Sequence, residues 1–313
     1  MSFQKPLVMV SGATGAQGGS VANSLLATGK YRVRALTRNP ESDKAKALVA
    51  KGAEVFKADL SIKEDVKNAL NGSDIAYIVT NFFDPSIYPN NMAEEERQGK
   101  VIADVAKEVG LNWLIYSSLP DTIEGFEEHN YNVVHFYGKK RQFIIWSLYD
   151  INIFKYIELW IFRTPHLSTK DDGTSEFIVP LVKEDTTIEI VDSETDTGPV
   201  VAKIIEEGPE KWNGKKVPVT SERITFGKIA EILTKVTGRP FKLRTPSREE
   251  TKKEFPFLDS EELLDMNRWF NEYGLFRSDP EVCDISITKV LHPNITTFEQ
   301  YAYKKWVISN NNF

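Results

Sequence analysis

The sequence predicts an α/β fold in which a doubly wound parallel sheet is followed by a smaller α+β C-terminal domain. Three observations support this prediction. Short apolar runs alternate with stretches of helical periodicity over the first half of the chain, and a glycine-rich loop stands between the first run and the first helix. Beyond about residue 150 the alternation stops. Alternating strands and helices imply right-handed crossovers and an open sheet with both faces covered.

The elements of the first half follow one another with short connections. Residues 7–10 form a continuous apolar run that is too short for a helix and ends at Ser11-Gly12, as expected of a buried parallel strand. Residues 20–27 then repeat apolar side chains at helical spacing. The same pattern predicts strands at 31–37, 55–58, 75–79 and 113–117, and helices at 42–51, 64–70 and 94–108.

The second half has a different pattern. Strand-like segments at 154–161, 177–179 and 187–191 are separated by turn signals, and helices are expected at 226–236 and 260–273. We therefore divide the chain into a first domain, residues 1–150, and a smaller α+β domain, residues 151–313, that is partly interwoven with the first.

Composition and charge exclude several classes of protein. The chain has 39 Lys plus Arg against 45 Asp plus Glu, a net charge of −6. A general nucleic-acid binder needs a dense basic surface, so direct binding of nucleic acid is not expected. A single cysteine, Cys283, and four histidines allow no internal disulfide and leave little for a metal site. These features predict a metal-free protein of a reducing compartment.

Neither a targeting segment nor a membrane helix is expected. The N-terminus shows no basic region and no cleavage site of the secretory type. The longest apolar stretch, residues 143–162, is interrupted by Asp150, Lys155 and Glu158, which would be costly in hydrocarbon. We therefore expect a cytoplasmic protein, with a nuclear location also compatible.

The strongest chemical signal is the loop from Gly12 to Gly18, which reads Gly-Ala-Thr-Gly-Ala-Gln-Gly. Glycine allows a sharp turn and the close approach of a pyrophosphate, and the helix that follows presents its N–H groups to the phosphates. The loop therefore predicts a Rossmann-type dinucleotide site, with a tight turn that binds nothing as the alternative. The expected cofactor-binding residues of the loop are Gly12, Thr14, Gly15, Gln17 and Gly18.

The end of the second strand bears on the choice of cofactor. An NAD site usually has an acid about 20 residues past the loop to hold the ribose hydroxyls. This chain has Arg38 there, and a guanidinium suits the 2′-phosphate of NADP. NADP is therefore favoured and NAD remains compatible, while a solvated loop charge is the other interpretation of Arg38. Asp59, past the third strand, would either accept from the adenine amino group or cap the next helix.

The segment Thr80-Asn81-Phe82-Phe83 follows the fourth strand. The nicotinamide half of a dinucleotide would lie there, because the first and fourth strands border the crevice of such a sheet. Thr80 and Asn81 are therefore candidate cofactor-binding residues. The two phenylalanines would line the same crevice or pack between the domains.

These residues resemble the NmrA-like branch of the atypical short-chain dehydrogenases/reductases. The GxxGxxG spacing of the loop is typical of that branch, and similarity extends from about Lys5 to about Pro246, weakest between residues 141 and 167. Some segments are closer to the fungal regulators of nitrogen metabolite repression than to the reductases, and the first half is also similar to the animal redox sensors. Besides the loop, the similar segments are Val79-Thr80-Asn81, Tyr116 to Asp121, Asp171 to Thr174, Asp196 to Pro199 and Gly208 to Gly214.

The resemblance implies a Tyr-x-x-x-Lys pair after the fifth strand, in which the lysine holds the ribose and the tyrosine exchanges a proton. Lys139 is the candidate lysine, but His135 stands where the tyrosine belongs. His135 is either a substitute proton donor or a structural histidine. Ser117, at the superfamily's serine position, would orient a carbonyl or only satisfy backbone groups. These three are the catalytic candidates, and the missing tyrosine favours a protein without turnover.

Two functions are compatible with these residues. The first is a regulatory protein that binds NADP or NAD and passes a change of shape to a protein partner. The resemblance implies a transcription factor of the GATA zinc-finger type, and an acidic protein suits a basic DNA-binding domain better than DNA. The second is an NADPH-dependent reductase of quinones or similar conjugated substrates, with Lys139 on the ribose and an apolar pocket of Phe82, Phe83 and Trp160. Oligomerisation is compatible with both.

Overall fold

The computed structural model describes residues 4–88, 90–91, 93–119, 150–155, 167–275 and 282–308. Over the first half, strands and helices alternate as predicted. In chain order they are β1 (Leu7–Val10), α1 (Ala16–Thr28), β2 (Arg32–Thr37), α2 (Asp43–Ala50), β3 (Glu54–Lys57), α3 (Lys63–Leu70), β4 (Ile75–Ile78), α4 (Ala93–Glu108) and β5 (Trp113–Ser118). Helix α1 begins four residues before the predicted start at 20, because its glycine-rich first turn carries no apolar period.

Seven parallel strands form the main sheet, in the order β3-β2-β1-β4-β5-β6-β10. Its last two members, β6 (Asp150–Lys155) and β10 (Lys216–Val219), come from beyond residue 150. Strand β6 begins four residues before the predicted strand at 154–161, and residues 156–161 lie outside the described residues. Strand β1 pairs with β2 on one side and β4 on the other, so the chain winds outward in both directions from it. Such a reversal leaves a crevice at the carboxyl ends of the strands.

The second half adds two small sheets and further helices. Strand β8 (Ser175–Ile178) pairs antiparallel with β7 (Leu167–Thr169) and parallel with β12 (Phe241–Arg244), while β9 (Thr187–Ile190) pairs antiparallel with β11 (Glu222–Thr225). None of the helices in the described ranges is long and apolar enough to cross a membrane. In chain order the elements are β7 (Leu167–Thr169), β8 (Ser175–Ile178), β9 (Thr187–Ile190), α5 (Thr197–Glu207), α6 (Pro209–Trp212), β11 (Glu222–Thr225), α7 (Phe226–Thr237), β12 (Phe241–Arg244), α8 (Arg248–Glu254), a 3₁₀ turn (Pro256–Leu258), α9 (Glu261–Glu272), α10 (Ser286–Leu291), α11 (Phe298–Tyr303) and a π-helical turn (Lys304–Ile308).

Apolar side chains of the main sheet are buried on both of its faces. Val8 and Val10 pack in one cluster with residues of α1 and α5, whereas Met9 packs in another with residues of α3 and α4. This alternation is the period of two that a strand covered on both sides imposes. A third cluster, around Phe177 and Trp269, forms the core of the second half. The predicted α/β fold with a doubly wound parallel sheet is confirmed.

Candidate functional site

A cavity of about 560 Å³ lies beyond the carboxyl ends of β1 to β5. Loops from different strands meet there because the carboxyl ends of parallel strands share one edge of the sheet. Lys139 and His135 lie outside the described residues. The other predicted site residues all line this cavity, namely Gly12, Thr14, Gly15, Gln17, Gly18, Arg38, Asp59, Thr80, Asn81 and Ser117.

The glycine loop brings the backbone of β1 and the start of α1 into close contact. Gly12 has a φ of +58°, and a Cβ on it would lie 2.9 Å from Cγ1 of Val79. A Cβ on Gly18 would lie 2.2 Å from the carbonyl oxygen of Ser11. Because a Cβ and a carbonyl oxygen do not approach that closely, the spacing of loop and helix requires glycine at position 18, and the positive φ favours glycine at position 12.

The first turn of α1 faces the cavity with backbone donors. Gly15 is the N-cap residue and offers no side chain to the N–H groups of Ala16, Gln17 and Gly18, which have no partner within the helix by its geometry. The turn from Ala16 to Gly19 contains no carboxylate that would repel an anion. Together with the partial positive charge of a helix N-terminus, this arrangement suits a pyrophosphate.

Ser11 ties the loop after β1 to the end of β4. Its hydroxyl donates to the carbonyl oxygen of Val79 at 3.0 Å and accepts from the Val79 N–H at 2.7 Å. Ser11 is fully buried. These two bonds fix the spacing of the two strand ends between which the crevice opens.

Arg38 and Asp84 form an ion pair between the loop after β2 and the loop after β4. The distance between Nη2 of Arg38 and Oδ2 of Asp84 is 2.8 Å. The Arg38 side chain is 64% exposed, whereas that of Asp84 is 11% exposed. Hydrogen bonds from Ser86, with Arg38 adding a further contribution, hold the pKa of Asp84 below its usual value against the effect of burial. Asp84 is therefore an anchored carboxylate and Arg38 the more mobile partner.

Asp59 does not cap helix α3, so that part of the sequence prediction is wrong. Its Oδ1 accepts from the backbone N–H of Ser61 at 2.8 Å and from the Ser61 hydroxyl at 2.7 Å. Ile62 occupies the N-cap position of α3, and no side-chain cap bond is made there. The physical reason is a turn after β3, closed by the Ile62 N–H on the Asp59 carbonyl at 3.1 Å, which separates the aspartate from the helix.

A buried network of Gln17, Tyr77 and Ser117 lies beneath the loop. Oε1 of Gln17 accepts from the Tyr77 hydroxyl at 2.8 Å and from the Ser117 hydroxyl at 2.7 Å. Burial raises the pKa of Tyr77. Tyr77 therefore keeps its proton. Ser117 donates to a side chain here, whereas the neighbouring Ser118 donates to the backbone oxygen of Leu119 at 3.4 Å.

The loop after β4 forms the wall opposite the glycine loop. The hydroxyl of Thr80 donates to Oε1 of Glu95 at 2.6 Å. Glu95 is 1% exposed, so a buried carboxyl group holds the Thr80 side chain in place. Asn81 is exposed. Phe82 is buried and Phe83 is 44% exposed, with 5.3 Å between their ring centroids. The wall is thus polar near β4 and aromatic beyond it.

Comparison with known proteins identifies the family. Residues 4–302 match the model of the NmrA-like family. The chain belongs to the NmrA-like family. Because this match spans nearly the whole chain, it includes the main sheet, the glycine loop and most of the second half.

Two curated relatives of this NmrA-like chain illustrate the range of the family. An NmrA-like family domain-containing protein of Dictyostelium discoideum is 29% identical over 95% of the chain and 97% of its own length. The NmrA-like family domain-containing oxidoreductase cpsB of Aspergillus campestris is 31% identical over 76% of the chain and 75% of its own length.

Solved structures with the same fold carry dinucleotides. NmrA, a negative transcriptional regulator, in complex with NAD has a TM-score of 0.81 at 21% identity and covers 98% of this chain and 97% of its own. Its complex with NADP has a TM-score of 0.78 at 21% identity, with 99% of each chain covered. The triphenylmethane reductase of Citrobacter sp. with NADP(H) has a TM-score of 0.71 at 18% identity, covering 96% of this chain and all of its own. The chain therefore has an NmrA-like NAD(P)-binding fold.

Sequence reasoning missed Asp84, Ser86 and Ser11, which line the cavity. Asp84 follows Phe83 in the loop after β4, so its place beside a predicted site segment was a usable signal. No signal in the sequence indicates its ion pair with Arg38, because 46 positions separate the two residues and no local pattern links them. Ser11 was interpreted only as the end of a strand, although a serine next to a glycine loop is in reach of neighbouring backbone groups.

Proposed function

We propose that this NmrA-like protein is a regulatory protein that binds a nicotinamide dinucleotide, with NADP favoured over NAD, and signals its binding to a protein partner. One observation carries the proposal. The glycine cradle at the start of α1, the Arg38 guanidinium and the wall after β4 line the same cavity. A dinucleotide needs donors for its pyrophosphate, a partner for its ribose and a flat wall for its ring, and these surfaces supply all three.

The residues present fit such a cofactor. The absence of a Cβ at Gly18 lets the loop pack directly on the start of α1, and the backbone N–H groups of the first turn of α1 would hold the pyrophosphate. Arg38 would pair with a 2′-phosphate, and Asp59 borders the adenine end. Thr80 and Asn81 would lie beside the nicotinamide, the ring that supplies or accepts a hydride when the cofactor is bound.

A regulatory role is favoured over turnover by the state of Ser117. Its hydroxyl proton is donated to Gln17, which also accepts from Tyr77. Turning Ser117 towards a substrate carbonyl would exchange this buried hydrogen bond for another, so Ser117 is not held free for a substrate. The name of NmrA as a negative transcriptional regulator supports the same role. We propose as partner a basic DNA-binding domain of the GATA zinc-finger type, reached in the nucleus, since the net charge of −6 favours such a partner.

The second candidate is an NADPH-dependent reductase of quinones or similar conjugated substrates. The curated name of its relative cpsB as an oxidoreductase supports it. So does the aromatic wall of Phe82 and Phe83, against which a flat substrate would stack. In this candidate Lys139 holds the ribose and His135 supplies the proton.

Calorimetric titration and a turnover assay separate the two candidates. NADP, NADPH and NAD are titrated into the purified protein, and NADPH with a panel of quinones is followed at the absorbance of the reduced nicotinamide. Tight binding without oxidation supports the regulator, and steady oxidation supports the reductase instead. If no dinucleotide binds, both candidates fail.

Variants of two arginines test the cofactor assignment. Arg38→Ala should weaken NADP about tenfold or more and leave NAD within about threefold, as expected for one lost guanidinium–phosphate pair. The matched control is Arg248→Ala, which removes an exposed arginine that pairs with Glu261 away from the cavity. Equal losses of NADP and NAD in Arg38→Ala contradict the assignment.

A partner test follows from linkage. If the nucleotide regulates a GATA-type zinc-finger domain, the affinity for that domain must change in the presence of NADP or NAD, and by the same factor in the reciprocal titration. Binding of the domain that ignores both nucleotides contradicts the regulatory mechanism.

A further inference from the structure

Asp84 places a carboxylate beside the guanidinium that would receive a 2′-phosphate. Its Oδ2 lies 2.8 Å from Nη2 of Arg38, and both residues line the cavity. They reach each other from the loops after β2 and β4, on either side of the glycine loop. Any anion that binds Arg38 therefore meets a fixed negative charge within a few ångströms.

The carboxylate is held in place by its own loop. Oδ1 of Asp84 accepts from the backbone N–H of Ser86 at 3.0 Å and from the Ser86 hydroxyl at 2.6 Å. The Asp84 N–H donates to the carbonyl oxygen of Asn81 at 3.1 Å, and the Asp84 carbonyl accepts from the Ile87 N–H at 2.8 Å. Asp84 is largely buried while Arg38 is 64% exposed. The exposed Arg38 guanidinium therefore has room to rotate. The Asp84 carboxylate cannot move away from it without breaking its hydrogen bonds to Ser86.

We propose that Asp84 sets the cofactor preference of this site by competing with the 2′-phosphate of NADP for Arg38. This inference rests on the proposed dinucleotide binding. A 2′-phosphate must share Arg38 with Asp84 and lie next to a like charge, whereas the ribose hydroxyls of NAD are neutral and meet no such repulsion. The site therefore prefers NADP less strongly than Arg38 alone would predict, and it accepts both cofactors.

The variant Asp84→Asn isolates the charge. An asparagine keeps Oδ1, which accepts both bonds from Ser86, and replaces only the oxygen that faces Arg38 with an amide. We expect the Kd for NADP to fall at least about fivefold, the effect of removing one like charge about 4 Å away when it is screened as strongly as in bulk water. The Kd for NAD should stay within about twofold. Adenosine 2′,5′-bisphosphate and 5′-AMP, which differ only in the 2′-phosphate, should show the same difference.

Controls keep the test decisive. Glu261→Gln removes an exposed carboxylate that pairs with Arg248 outside the cavity, and it should change neither Kd. Asp84→Ser serves as a second variant if the asparagine impairs folding, because its hydroxyl can still accept from the Ser86 N–H. The unfolding midpoint of each variant shows that it is folded.

The outcomes are distinguishable. A gain confined to ligands with a 2′-phosphate supports the inference. Equal changes for NADP and NAD, no change for either, or a loss of NAD affinity overturn it while leaving dinucleotide binding intact. If neither dinucleotide binds the wild-type protein or the variants, the proposed function itself fails.

Discussion

Replacing Gln17 by leucine tests the buried network beneath the glycine loop. Two buried hydroxyls, those of Tyr77 and Ser117, donate to the single oxygen Oε1 of Gln17. Tyr77 is 0% exposed and Ser117 is 2% exposed, so both hydroxyls would lose their acceptor in a buried position. Leucine has nearly the volume of glutamine, so the main change is the loss of that acceptor.

The structure allows the magnitude to be estimated. Each buried polar group left without a partner costs about 1–3 kcal/mol, so Gln17→Leu, which leaves two, should lower the free energy of unfolding by about 2–6 kcal/mol. Tyr77→Phe removes one donor but leaves Gln17 bonded to Ser117, and should cost only about 1 kcal/mol. The triple variant with Gln17→Leu, Tyr77→Phe and Ser117→Ala has no unsatisfied group in this network and should be more stable than Gln17→Leu alone.

Urea unfolding followed by circular dichroism measures these differences from the transition midpoint at constant slope. The order of stability expected is wild type, then Tyr77→Phe, then Gln17→Leu, with the triple variant above Gln17→Leu. A Gln17→Leu protein as stable as Tyr77→Phe, or a triple variant less stable than Gln17→Leu, would refute the role assigned to Oε1.

Three further predictions concern other parts of the molecule. Asp196→Ala should lower the free energy of unfolding by about 2–4 kcal/mol, measured by urea unfolding. The fully buried carboxylate of Asp196 contacts His292 at 2.9 Å and accepts from the Thr296 N–H at 3.0 Å, and the variant loses both contacts. A loss below about 1 kcal/mol contradicts this prediction. The pKa of Asp84 is lowered in the folded state, so its stabilisation is present above the unfolded value of about 3.9 and is lost as the pH falls through the folded value. The difference in stability between wild type and Asp84→Asn should therefore shrink between about pH 5 and pH 2, and a constant difference contradicts the assignment. Lys30 and Lys203 lower the pKa of the Glu206 carboxylate to about 2; NMR titration should find it well below the usual range, and Lys30→Met should raise it.

The first half of the fold was predictable because its signal is local. Strands β1, β4 and β5 begin as short apolar runs, β2 and β3 carry apolar residues among polar ones, and the glycine loop marks the junction of β1 and α1. Strand β10 was not predicted. It has four residues, including Pro218, and its place in the sheet depends on pairing with β6 about 60 residues earlier. Proline is tolerated at such an edge, but the sequence contains no local sign of that partner.

The candidate site was predictable to the same extent. The loop, Arg38 and Thr80 were found because each directly follows a predicted strand, and parallel strands end at one edge. Asp84 was missed because the search for an acid was confined to the end of β2, whereas the carboxylate comes from the loop after β4. Of the two interpretations of Asp59, the helix cap was wrong because an intervening turn uses the carboxylate. Turns of this kind depend on the next two residues as much as on the aspartate.

Hydrogen exchange with and without NADP tests the central claim most directly. We propose that the dinucleotide lies on the glycine loop and the start of α1, with its 2′-phosphate on Arg38. NADP should therefore slow amide exchange in residues 12–18 and 37–39, and NAD should slow it in residues 12–18 with a smaller effect at 37–39. Exchange that is unchanged at residues 12–18 in the presence of saturating NADP, or protection confined to another part of the chain, would contradict the account.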